Sequence, residues 1–212
     1  MGWKLAIAVM SLNGRSLKGA VSDFYGKKCV LSPSDQTVET VLYPSNQNLK
    51  FACEEGGNAW VFDWPSVEKA LEKRYSSTDD VSFFILHSVV NLYGFSHYRN
   101  GLEIRRRVGS SDEGIIFDTG EISENELTAL KQVTGDAPIE KTLSSWNNPN
   151  ELYESDEEEF SHDSLGEEVV FKLIQAQTGI NLSRVSERTE RFLEMPVTKV
   201  KNAGLLDHIL GG

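Results

Sequence analysis

The chain has 212 residues and a formal net charge of −11, and 39% of its residues are hydrophobic. A chain of this length forms one large domain or two small ones, and it buries enough surface to fold without disulfide or metal support. No apolar run reaches the roughly 18–20 residues of a membrane-spanning helix. The excess of acidic residues argues against nucleic-acid binding as the main function, because nucleic acid carries a dense negative charge.

The first elements of the chain are a strand and a short helix. Lys4–Ser11 is apolar, lacks the basic flank and cleavage site of a signal peptide, and is predicted as a buried strand. Leu17–Tyr25 carries apolar residues at helical spacing and is predicted as an amphipathic helix. Cys29 and Cys53 are the only cysteines, and without a secretory signal they favour a reducing, cytoplasmic location.

The next segments are predicted as short strands and one helix. A Gly56-Gly57-Asn58 turn predicts a hairpin between the two strands on either side of it. Pro65 is typical of a first helical turn and predicts a helix that ends near Tyr75. The strands predicted here are Lys28–Leu31, Val38–Tyr43, Leu49–Glu54, Ala59–Phe62 and Val81–Leu86.

The clearest local signal is the Asn100-Gly101 pair between two apolar segments, which predicts a two-residue β-hairpin turn. With that turn, regular pairing sets Arg99 opposite Leu102, His97 opposite Ile104, Phe95 opposite Arg106 and Tyr93 opposite Val108. One face of the hairpin is then mostly apolar but carries His97 and Arg106. The other face, with Ser96, Tyr98, Glu103, Arg105 and Arg107, is predicted to be solvated.

After the hairpin, a strand, two helices and a long loop are predicted. Ile115–Asp118 is predicted as a strand, and Ser123 as the N-cap of a helix over Glu124–Val133, with Glu126 completing a capping box. Residues 134–163 are predicted as loop, and Leu165–Thr178 as a helix that Gly179 ends. Further on, a strand within Arg191–Val200 and a helical turn at Leu205–Leu210 are expected.

These elements favour the α+β fold class, with a mixed, largely antiparallel sheet and a few packed helices, over a doubly wound sheet. We expect a single domain over residues 1–212, with a flexible acidic insertion at about 140–163.

A candidate ligand site follows from the predicted hairpin face. A buried guanidinium needs a carboxylate or an anionic ligand, so Arg106 is predicted to hold an anion, to form a structural ion pair or to extend to water near the strand edge. His97 lies beside it in the predicted register and titrates near neutral pH. Asp112 and Glu113 follow on the same strand and complete the set of ligand-binding candidates.

A strongly acidic segment is the second candidate site. Residues 142–171 contain no Lys or Arg, and Asp156, Glu157, Glu158 and Glu159 form its densest part. Such a segment is typical of a solvated loop, and it also favours a basic protein partner. The sequence does not predict an oligomeric state.

Motifs for catalysis, metals and cofactors are missing from the sequence. There is no HExxH, CxxC or phosphate-binding glycine loop, so no metal and no cofactor is predicted. Ser66-Val67-Glu68-Lys69 matches the SxxK pattern, but neither SDN nor KTG follows it. A non-catalytic binding or protein-interaction domain is the first hypothesis, and a small anionic-ligand-binding domain is the second. The third is a hydrolase or transferase that uses His87, His97, Asp112 and Glu113.

Several segments resemble an uncharacterised bacterial protein family of unknown function. They are the strand HSVVNLYGF from His87 to Phe95, the Asn100-Gly101 turn, the three arginines at 105–107 and the turn from Asp112 to Gly114. The first strand and the Leu165-Gly166-Glu167-Glu168 helix are similar to that family too. The resemblance implies a single cytoplasmic bacterial domain, and it implies no activity.

Overall fold

The computed structural model describes residues 4–26, 28–33, 50–63, 80–110, 112–135, 137–148, 153–154, 159–160, 162–179 and 193–195. The first part of the chain forms β1 (Lys4–Ser11), α1 (Leu17–Tyr25), β2 (Ser32–Pro33), β3 (Lys50–Glu55), β4 (Asn58–Phe62) and β5 (Val81–His87). Then come β6 (Leu92–Arg99), β7 (Leu102–Ser110), β8 (Gly114–Thr119), α2 (Glu124–Thr134) and α3 (Ile139–Asn147). The last elements are β9 (Tyr153–Glu154), β10 (Glu159–Phe160), α4 (His162–Thr178) and β11 (Leu193–Met195).

The strands form one large sheet and one small hairpin. The large sheet has nine strands in the order β2-β11-β3-β4-β1-β5-β6-β7-β8, and β9 pairs with β10. Every strand pair in the described part of the chain is antiparallel. The predicted α+β class with a largely antiparallel sheet is therefore confirmed.

Helices pack on both faces of the sheet, because alternate residues of each central strand are apolar on both sides. In β1, Leu5, Ile7 and Val9 face α2, α3 and α4, and this cluster includes Trp146 and Val169. The intervening residues of β1 belong to the cluster that contains α1. That face carries alanines on three adjacent strands, which leaves room for α1: Ala6, Ala8, Ala52 and Ala59.

The hairpin of β6 and β7 forms at the predicted turn, but the predicted register beyond that turn is wrong. Asn100 and Gly101 have φ values of 51° and 74°, and Arg99 pairs with Leu102 as expected. A β-bulge between His97 and Tyr98 then shifts the pairing by one residue. Because side chains alternate along a strand, this shift exchanges the two faces of β7 relative to β6.

The corrected register pairs His97 with Arg105, Ser96 with Arg106 and Phe95 with Arg107. Arg105 and Arg107 therefore lie with Phe95 on the face that packs against α2, α3 and α4, and Arg106 lies on the face that packs against α1. The face predicted to be solvated is also buried: Ser96 and Tyr98 are both 0% exposed.

Most predicted helices are confirmed, and one was missed. α1 begins at the N-cap Ser16, α2 begins at the N-cap Ser123, and α4 begins at His162, three residues earlier than predicted. The structure contradicts the loop predicted over 134–163 in part, since α3 occupies Ile139–Asn147. None of the described helices is long and apolar enough to cross a membrane.

Some predictions fall wholly or partly outside the described residues. They are the strand at Val38–Tyr43, the helix from Pro65 to Tyr75 with its SxxK motif, the helical turn at Leu205–Leu210 and most of the strand predicted within 191–200.

Candidate functional site

The arginine-rich strand β7 takes part in a buried ion-pair network on the side of the sheet that α2, α3 and α4 cover. Arg105 holds the carboxylate of Glu126 with two hydrogen bonds, from Nε to Oε2 and from Nη2 to Oε1, each 2.8 Å long. Glu126 is 0% exposed and Arg105 is 3% exposed. Glu126 also accepts a hydrogen bond of 3.0 Å from Nε1 of Trp146. The first turn of α2 is thus fixed to the middle of β7.

Asp118 on β8 completes the network by bridging two arginines. Its two oxygens accept hydrogen bonds from Nη1 of Arg105 and from Nη1 of Arg107. Arg107 also donates to the backbone oxygen of Trp146, and its guanidinium lies 4.0 Å from the centre of the Trp146 ring. Two arginines and two carboxylates balance the charge, so this network joins β7, β8, α2 and α3 and offers no free charge to a ligand.

The buried surroundings shift the pKa values of the two arginines in opposite directions. Burial alone disfavours the charged form of Arg105, but hydrogen bonds to Glu126 and Asp118 raise its pKa above the usual value. For Arg107 burial outweighs the attraction of Tyr93, Asp118 and Glu126, and its pKa is lowered.

A cavity of about 530 Å³ lies beside this network. It is open to solvent on one side and bounded by the sheet, by the start of α2 and by the end of α4. Its apolar lining comes from Val9, Phe84, Phe95, Ile104, Ile122 and Leu173. Its polar lining comes from Ser11, Asn58, Asp80, Ser82, His97, Arg99, Arg105, Glu121, Ser123, Asn125 and Gln177.

His97 and Ser82 form a hydrogen-bonded pair in the wall of the cavity. They are direct cross-strand neighbours, and Oγ of Ser82 lies 2.9 Å from Nδ1 of His97. Burial lowers the pKa of His97 below its ordinary value of 6.5, while the charge of Asp80 opposes this shift and that of Arg99 adds to it. The imidazole is therefore uncharged at neutral pH.

The charged groups that line the cavity are balanced. Asp80 and Arg99 form an ion pair of 3.5 Å at its rim. Arg105 is held by Glu126 and Asp118, and Glu121 is exposed. What the cavity offers is therefore an apolar floor surrounded by hydroxyl, amide and imidazole groups.

The structure does not bring the four predicted ligand-binding residues together. His97 lines the cavity, whereas Arg106 lies on the opposite face of the sheet. Asp112 and Glu113 are exposed in the turn after β7, at the far end of that strand. His87 ends β5 opposite Leu92 and does not line the cavity, so the proposed catalytic set of His87, His97, Asp112 and Glu113 shares no cleft.

The acidic candidates lie almost entirely outside the described residues. Asp156, Glu157 and Glu158 lie outside the described residues, and Glu159 belongs to β10, where it pairs with Glu154. Among the described residues, no cluster of histidine, cysteine or acidic side chains has the arrangement of a metal site.

The pairing of Ser82 with His97 and the binding of Arg105 by Glu126 were not predicted from the sequence. Ser123 caps α2 as predicted, since its Oγ accepts from the backbone N–H of Glu126 over 3.1 Å. The Glu126 carboxylate, however, binds Arg105 rather than the start of the helix. The arginine run itself was the available signal, because a buried cationic strand requires carboxylates on its neighbours.

Comparisons with protein-family models, with curated proteins and with solved structures found no match.

Proposed function

We propose that this protein is a small-molecule-binding domain whose site is the cavity between the β6–β7 hairpin, α2 and α4. The observation that carries the proposal is the cavity itself. Its volume of about 530 Å³ lies in the range of about 300–1,000 Å³ for ligand sites, and its lining combines an apolar floor with a few polar groups.

The balance of charge favours an uncharged polar ligand. Arg99 is paired with Asp80, and the donors of Arg105 are taken by Glu126, Asp118 and backbone oxygens. An anion in the cavity would therefore find no free cation. Hydroxyl and amide groups instead suit a ligand that donates and accepts hydrogen bonds, such as a polyol, a sugar or a nucleoside.

His97 is the residue we assign to ligand recognition. Ser82 holds one nitrogen of its ring, which fixes the orientation of the imidazole in the cavity wall. The uncharged ring then offers its second nitrogen as a hydrogen-bond donor or acceptor. A hydrogen bond between a ligand hydroxyl and this nitrogen would orient the ligand, and it would not require a charged group to be desolvated.

A thermal-shift screen tests the proposal. We expect a member of a panel of uncharged sugars, polyols and nucleosides to stabilise the wild type. His97→Gln should weaken binding of the hit about tenfold, the effect of one lost hydrogen bond of about 1.4 kcal/mol. His87→Gln is the matched control, because His87 does not line the cavity. Equal binding by wild type and His97→Gln would contradict this site.

A protein-interaction function remains the second proposal, and it rests on the charge of the segment around Asp156–Glu159. A basic protein partner would be captured by the wild type and lost on deletion of residues 151–159. An unchanged set of captured proteins would exclude this role for the segment.

A further inference from the structure

Arg106 is a buried cation whose hydrogen-bonding capacity is largely unused. It is 8% exposed, and neither its Nε nor its Nη2 has a hydrogen-bond partner among the described residues. Its guanidinium lies 3.8 Å from the centre of the Phe117 ring, which covers one face of the group. A buried guanidinium without hydrogen-bond acceptors strongly destabilises the folded state.

Ser96 adds a second unpartnered group directly opposite Arg106. The two residues are cross-strand neighbours on β6 and β7, with their side chains on the α1 side of the sheet. Ser96 is 0% exposed, and its Oγ also has no hydrogen-bond partner in the described part of the chain. Three polar atoms at one place thus lack partners, all of them able to donate a hydrogen bond.

The nearest carboxylate does not complete this site. Oε2 of Glu103 lies 3.8 Å from Nη1 of Arg106, beyond hydrogen-bond distance. Its two oxygens already accept hydrogen bonds from the Tyr98 hydroxyl at 2.9 Å and from Oγ1 of Thr119 at 2.7 Å. Glu103 therefore moderates the charge of Arg106, while Nε and Nη2 have no hydrogen-bond acceptor among the described residues.

The neighbouring residue shows what this edge of a guanidinium binds. Arg105 uses the same two nitrogens, Nε and Nη2, to hold both oxygens of Glu126 at 2.8 Å. We infer that Arg106 and Ser96 form a second binding site, on the opposite face of the sheet from the cavity, for the carboxylate of a small molecule. The carboxylate accepts two hydrogen bonds from Arg106 and one from the Ser96 hydroxyl.

A carboxylate fits this site better than a phosphate does. Its planar pair of oxygens matches the Nε–Nη2 edge. It also brings one negative charge rather than the two of a phosphate dianion close to Glu103, in a site that is nine-tenths buried. Phe117 lies on the edge strand β8 and is 38% exposed, so its ring is the part of the site most able to move when the ligand enters.

Side-chain NMR of the arginine Nε–H groups tests this inference, with acetate as the probe. The resonance that disappears in Arg106→Lys is assigned to Arg106. We expect it to shift in a saturable way with acetate, and with neither chloride nor phosphate at equal ionic strength. Ser96→Ala should weaken acetate binding about tenfold. The Nε–H resonance of Arg105 should not shift, because this group already donates a hydrogen bond to Glu126.

Two results would overturn the inference. One is an Arg106 resonance that no carboxylate moves, which would show that the chain itself satisfies the guanidinium. The other is an equal response to acetate, chloride and phosphate, which would show screening rather than a site. Acetate binding should persist in His97→Gln, so failure of this site and failure of the cavity are distinguishable.

Discussion

Tyr93 is held between two glycines, and this contact ties α4 to the sheet. A Cβ atom at Gly166 of α4 would lie 2.5 Å from Cδ1 and Cε1 of the Tyr93 ring. A Cβ atom at Gly109 of β7 would lie 2.4 Å from the Tyr93 hydroxyl oxygen. Tyr93 is 0% exposed, so the ring has no free space in which to move. The two glycines therefore serve close packing, and neither has a positive φ.

Gly166→Ala should destabilise the protein by about 1–3 kcal/mol, because overpacking displaces Tyr93. Helix propensity alone predicts the opposite sign, a gain of up to about 1 kcal/mol. Gly19→Ala in α1 is the matched control: a Cβ atom there meets only Oγ of Ser16 at 3.4 Å and Cβ of Arg15 at 3.9 Å. We expect that variant to be stabilised, by about 0.5–1 kcal/mol. Urea unfolding measures both changes, and stabilisation by Gly166→Ala would contradict the packing argument.

At the scale of elements, the turn of the central hairpin could be predicted from the sequence but its register could not. Asn100-Gly101 specifies the turn because both residues adopt positive φ. The bulge at His97 and Tyr98 adds a residue to β7, and no residue type there requires it. One extra residue was enough to exchange Arg106 with Arg105 and Arg107 between the two faces.

The missed helix α3 has a different explanation. Its buried residues are Thr142, Ser145 and Trp146, so its inward face is largely polar. Its three apolar residues, Ile139, Leu143 and Trp146, do recur at helical spacing, but they are few among polar residues and the segment was predicted as loop. Thr142 lies within hydrogen-bond distance of Thr134 at the end of α2, with 3.2 Å between the two hydroxyl oxygens. That tertiary contact is not visible in the local sequence.

The attachment of α2 to β7 depends on Glu126, and its removal should be strongly destabilising. Glu126→Gln leaves Arg105 without one of its two carboxylates in a buried site. Breaking a buried ion pair typically costs about 3–5 kcal/mol. Glu124→Gln is the control, since Glu124 lies in the same helical turn but is exposed, and we expect a change within about 0.5 kcal/mol. Equal stabilities of the two variants in urea unfolding would contradict a structural role for the network.

At the scale of the whole molecule, the candidate site depends on contacts between distant segments. The cavity is lined by residues of β1, β5, β6, β7, α2 and α4, which no local pattern relates to one another. The α+β class could be predicted because alternating and helical apolar patterns are local. Of the four predicted ligand candidates, His97 alone lines the cavity, and its neighbour Ser82 became visible only through strand pairing.

The net charge of −11 has a consequence for the stability of the whole protein. Like charges repel in the folded state, and salt screens this repulsion: the Debye length falls from about 30 Å at 0.01 M to about 10 Å at 0.1 M. We therefore expect the melting temperature to rise by about 2–4 °C over this range of NaCl, which corresponds to about 1 kcal/mol. A fall would show instead that screening of surface ion pairs, such as Arg15 with Asp23, dominates.

A charge-matched pair of variants locates the repulsion. The first neutralises the cluster as Asp156→Asn with Glu157→Gln, Glu158→Gln and Glu159→Gln, and the second neutralises the exposed and dispersed Glu54, Asp112, Glu121 and Glu140. Each variant removes four of the 11 net negative charges. Because repulsion increases as charges approach one another, the first variant should lose more of the salt response than the second. An equal loss of the salt response in both variants would show that the repulsion is spread over the molecule. The segment around residue 157 would then contribute no more to it than the dispersed charges do.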